Sequence, residues 1–268
     1  MSEQIMDKQK FIEDQLRTIK KVCELHEKIE NINVSLKTLQ PIAIVDNNIF
    51  YVFDINKQIN EYEFIMEYPT PMPVPENVLA AFPLDFYDGK STAVISANVL
   101  ENPDNYIFVY HEFVHCYQWN TFEQKIRQKL KIEKQQKQKN NYTWEINYPF
   151  PYEDNYFITL TKELSNVPKE QAFEIYVTYH QKVKAHLNEI DYEYMIWQEW
   201  KEGFARYIEN LARTKLGLMQ NHTDLSPQYD RVCFYEVGSK YIKALIENNN
   251  TLSIDLEALY YQMKEESQ

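Results

Sequence analysis

A chain of 268 residues with 44% hydrophobic and 15% aromatic side chains is long enough to bury a sizeable core and too apolar to be disordered. Its formal net charge of −12 argues against nucleic acid as a partner, because a phosphate backbone repels such a surface. Cys23, Cys116 and Cys233 are odd in number and widely spaced, against a disulfide framework, and neither a signal-peptide pattern nor a long apolar run is present, so a cytoplasmic protein without a membrane partner is expected.

Phe11, Ile12, Leu16, Ile19, Val22, Leu25 and Ile29 recur at helical spacing and predict one amphipathic helix from about Gln4 to Glu30. His26 on it reads as a surface or packing residue. Ile42 to Val45 and Ile49 to Phe53, separated by Asp46-Asn47-Asn48, read as a β-hairpin, and Tyr62 to Tyr68 as a further strand. Five prolines between Pro69 and Pro83 argue against helix or central strand and predict an extended loop. After an Asp88-Gly89 turn, Ser91 to Ala97 reads as another strand.

The next stretch, Val109-Tyr110-His111-Glu112-Phe113-Val114-His115, has histidines four apart with a glutamate beside the first. Residues at that spacing share a helix face, so both imidazoles can aim at one metal ion. A cation there acidifies water, and the Glu112 carboxylate is placed to take the proton and return it to a leaving amine. Cys116 points to a different part of the helix surface and reads as packing.

Phe122 to Asn140 carries seven basic and two acidic side chains and reads as the exposed end of the metal helix plus a loop. The aromatic run Tyr142 to Tyr152 reads either as the lining of a substrate cleft or as ordinary packing. Pro168 starts a helix through about Leu187, whose His180 and His186 read as structural or exposed. A further helix runs from Tyr192 to about Leu216, stopped by Gly217.

A tetrahedral catalytic site needs a third protein ligand, and Trp200-Lys201-Glu202-Gly203-Phe204-Ala205-Arg206-Tyr207-Ile208-Glu209 offers candidates. Together with His-Glu-Phe-Val-His, this segment resembles the gluzincin metallopeptidases, thermolysin-like enzymes and membrane alanyl aminopeptidases among them. The resemblance implies that Glu202 is the third zinc ligand and that Ala205 lets two helices approach. Glu199, three residues earlier on the same helix, is the nearest competitor. Tyr235-Glu236-Val237-Gly238 resembles the Tyr-x-x-Gly stretch of the same aminopeptidases, which implies an oxyanion donor at Tyr235, with His222 as runner-up. It also implies that the strand near Ala93 to Ala97 is an edge strand pairing with substrate backbone. Of four glycines, Gly203 and Gly238 fall inside the two resembling segments, which predicts close backbone approach there.

The expectation is an α+β, mostly α chain. Residues 1–90 form an N-terminal helix and a small antiparallel sheet, and residues 91–268 a zincin-like catalytic region with an inserted helical segment at about 120–190. The expected activity is zinc-dependent hydrolysis of peptide bonds, with one Zn2+ per chain on His111, His115 and Glu202, and a peptide or protein as substrate. Hydrolysis of another amide and a noncatalytic zinc-stabilised binding protein are the alternative readings.

Overall fold

The computed structural model describes residues 2–225 and 228–265, with side chains from residue 6 onward. It is 62% helix and 14% strand, an α+β chain that is mostly α. Two compact units are present, Met1–Asn120 with Leu211–Met219, and Thr121–Asn210 with Gln220–Gln268. No helix among the described residues is long and apolar enough to cross a membrane.

In the first unit, α1 (Ser2–Ile29) is followed by β1 (Ile42–Asp46), β2 (Ile49–Asn56), β3 (Glu61–Pro69), β4 (Leu79–Leu84), β5 (Lys90–Ser96) and α2 (Tyr106–Gln118). The strands form one sheet in the order β3-β2-β1-β5-β4. The β1–β2 hairpin closes through Asn47 and Asn48, both at positive φ, 47° and 60°. Such a two-residue turn matches the strand twist and suits asparagine, which tolerates the left-handed region. One sheet face buries Ala43, Val45, Phe50, Val52, Leu84, Tyr87 and Val94. The alternate residues lie on the opposite face, where Phe11 of α1 meets Tyr51 at 4.7 Å between ring centroids.

Two expectations about this unit change. The sheet is mixed, because β1 pairs with β5 in parallel. More consequentially, β5 is no edge: β1 covers one side and β4, antiparallel, the other. The backbone donors and acceptors of Ala93 to Ser96 are therefore used within the sheet, and the strand next to α2 has none to offer a substrate. The edge on that side is β4, formed by residues 79–84 of the stretch read as a loop. Pro83 fits there because an edge strand can lack one ladder donor. On the other edge, β3 carries Glu61, Glu63 and Glu67, charges that discourage further pairing.

The second unit is helical. It contains α3 (Gln124–Arg127), α4 (Lys131–Gln138), α5 (Trp144–Asn147), α6 (Asn155–Glu163), α7 (Ala172–His186), most of α8 (Glu189–Leu216), α9 (Val232–Asn248) and α10 (Leu256–Glu265). The basic run is thus largely helical, and its Arg127 is built into an ion network with Glu123, Glu133 and Glu145. Of the aromatic run, Trp144 and Phe150 are buried, with Phe150 packed against Phe157 and Phe234. Packing is their role; Tyr142 stays exposed.

Candidate metal centre

Helix α2 is apolar along most of its length, and packing rather than local propensity holds its histidines in place. Ile107, Val109, Tyr110, Phe113, Val114 and Cys116 are all buried. The Tyr110 hydroxyl donates to the Val22 carbonyl of α1 at 2.5 Å, which fixes the helix about its axis. The His111 and His115 rings lie one turn apart, with centroids 4.9 Å apart and planes at 75°. Nδ1 of His115 donates to Oε1 of the buried Gln118 at 2.8 Å. That bond selects the tautomer whose Nε2 carries the lone pair, which is how the outer partner of a metal-ligating histidine orients it. Gln118 went unnoticed in the sequence, although it stands one turn after His115 on the same face. Glu112 is 5% exposed, beside His111.

On α8 the side chains around Glu202 have separate partners. Lys201 pairs with Glu123 at 3.0 Å and Glu145 at 2.7 Å. Burial disfavours its ammonium, yet the two carboxylates outweigh that and raise its pKa. Glu199 is fully buried and its Oε2 lies 2.6 Å from Nε2 of the equally buried His180. The other His180 nitrogen faces the Tyr176 carbonyl at 2.7 Å. Both ring nitrogens thus face acceptors. This contact occupies Glu199 and makes His180 structural.

Helices α8 and α9 cross almost backbone to backbone. A Cβ built on Gly203 would lie 2.6 Å from the Gly238 carbonyl carbon, and one on Gly238 would lie 2.5 Å from the Glu199 carbonyl oxygen. Only glycine allows that approach. The crossing brings Arg231, at the start of α9, to Glu202: Nη1 donates to Oε1 at 3.1 Å. The same guanidinium lies 5.4 Å from the centroid of the Tyr235 ring, and that of Arg206 lies 5.5 Å from it. Burial works against the Arg231 cation, but Tyr235 and Glu202 outweigh it and hold its pKa above the ordinary value. Neither arginine was legible as part of a site, since each depends on a contact between helices. His222 lies elsewhere, with Nδ1 facing Glu236 Oε1 at 3.0 Å and Nε2 facing Gln220 Oε1 at 2.9 Å.

Among the described residues, one group has the donor types and spacing for a metal: one donor atom each from His111, His115 and Glu202 lie within 4.8 Å of one another, all three residues buried. Donors around a tetrahedral zinc, about 2.0–2.2 Å from it, are roughly 3.4 Å apart. Two imidazole nitrogens and a carboxylate at this range fit such an ion. Searched against protein-family models, curated proteins and solved structures, the chain gives no match.

Proposed function

We propose that this protein is a zinc-dependent metallopeptidase, with His111, His115 and Glu202 as ligands. The observation that carries this reading is the close grouping of those three donors, one of them far along the chain from the other two. Gln118 supports it by orienting His115, and the engagement of Glu199 by His180 supports Glu202 over its neighbour. A zinc ion held by these three residues would supply Lewis-acid polarisation of the scissile carbonyl and acidify the attacking water. Glu112 would take a proton from the attacking water and pass it to the leaving amine. Tyr235 would donate its hydroxyl to the oxyanion that develops on the scissile carbonyl.

Metal analysis of the purified protein, paired with digestion of a peptide library, tests the reading. About one zinc per chain and cleavage of at least one peptide class are expected. Glu202→Ala should strip the metal, whereas Glu199→Gln, which keeps a partner for His180, should retain it. Full zinc in the first variant with loss in the second reassigns the third ligand. A tightly bound zinc with no hydrolysis of any peptide favours the noncatalytic alternative.

The Tyr235 assignment has its own test. Tyr235→Phe removes one hydroxyl and keeps the ring between its neighbours, so zinc content should hold while kcat falls by about 10²–10³ with little change in KM. His222→Ala should do much less, because both its ring nitrogens are already engaged with Glu236 and Gln220. The reverse ranking at equal zinc occupancy moves the oxyanion role to the histidine.

A further inference from the structure

Arg231 uses little of its hydrogen-bonding capacity within the protein. A guanidinium has five N–H donors. One reaches Glu202 Oε1, and among the described residues the other four have no hydrogen-bond partner. The side chain is 30% exposed, so those donors are within reach of a bound molecule. Buried Arg206 shares the Tyr235 ring but is balanced: its Nη1 donates to the Asn221 carbonyl at 3.2 Å and its Nε lies 3.5 Å from Glu209 Oε2. Arg231 is therefore the guanidinium at that ring with exposed donors left for a bound molecule.

We propose that Arg231 is a specificity-determining residue that recognises a carboxylate on the substrate. This rests on the peptidase reading above. As a metal ligand, Glu202 shares its charge with the ion and balances Arg231 less completely, which leaves the guanidinium fork to a second carboxylate. A planar fork with parallel donors suits that group, and a carboxylate is the anion a peptide carries. It has two sources, the C-terminus and an acidic side chain.

Four peptides sharing one core sequence separate these sources: free and amidated C-termini, and amidated forms with an internal Glu or Gln. Binding is measured by calorimetry on the zinc-loaded Glu112→Gln protein, and kcat and KM on otherwise wild-type protein. The carboxylate that Arg231 recognises should tighten binding about tenfold to a hundredfold over its neutral counterpart, as charge-assisted hydrogen bonds do. The Glu112→Gln/Arg231→Gln double variant should erase the difference, and in the wild-type background Arg231→Gln should raise KM with kcat nearly kept. If Arg231→Gln fails to fold by circular dichroism, Arg231→Lys decides, because it keeps the charge but not the fork and should lower the preference severalfold. Equal binding of charged and neutral peptides, or a preference that survives replacement of Arg231, overturns the proposal. Discrimination without cleavage by the wild type defeats the peptidase reading alone, and cleavage without discrimination defeats the role of Arg231 alone.

Discussion

Glu112→Gln is expected to lower kcat by about 10²–10⁴ while zinc stays bound at the wild-type ratio. The substitution keeps the size and most of the polarity of a side chain that is only 5% exposed, so the packing of α2 should survive. What it removes is a base. Glutamine accepts no proton from an acidified water and returns none to a leaving amine. His111 and His115 lie on a helix that the Tyr110 and Gln118 contacts orient, and neither of those contacts involves Glu112. Zinc content by atomic emission and turnover of a peptide found in the library digest are the two readouts. Unchanged turnover removes Glu112 from the mechanism, and loss of turnover together with zinc makes it a structural residue.

The helix crossing should respond as strongly in stability. Alanine is the better helix former by about 1 kcal/mol, so on an open helix surface a Gly→Ala change stabilises. At Gly203 the new methyl would meet the Gly238 backbone at 2.6 Å, and at Gly238 it would meet the Glu199 carbonyl oxygen at 2.5 Å. These are backbone atoms with no rotamer by which to yield, so one helix must move away from the other. Overpacking of this kind costs about 1–3 kcal/mol, occasionally more. Each variant is therefore expected to lose about 2 kcal/mol despite the better propensity, read from urea and thermal midpoints. Because Gly203 follows Glu202 directly, Gly203→Ala should also weaken zinc binding. A variant as stable as the parent would show that the helices can separate freely and that close approach is not what these glycines provide.

Features that depend on neighbours in the chain were readable from the amino-acid order alone. The repeat of Ile19, Val22 and Ile29 describes one face of α1, and those residues are buried. Asp46-Asn47-Asn48 marks a turn because asparagine takes positive φ cheaply, and the hairpin closes there. His111 and His115 face one way because four residues make about one helical turn. The mostly α, α+β character follows from the same local periodicities. What local spacing does not carry was decided by the tertiary structure. Ser91 to Ala97 reads as a strand, but whether it lies at an edge depends on which segments pair with it, and β1 and β4 take both its sides. Glu199 and Glu202 are one turn apart and chemically alike; a contact from another helix, His180 on one and Arg231 on the other, gives them different partners. The arginines at Tyr235 come together only because two glycines let α8 and α9 cross at backbone contact, a pairing for which the intervening chain leaves no periodic signal.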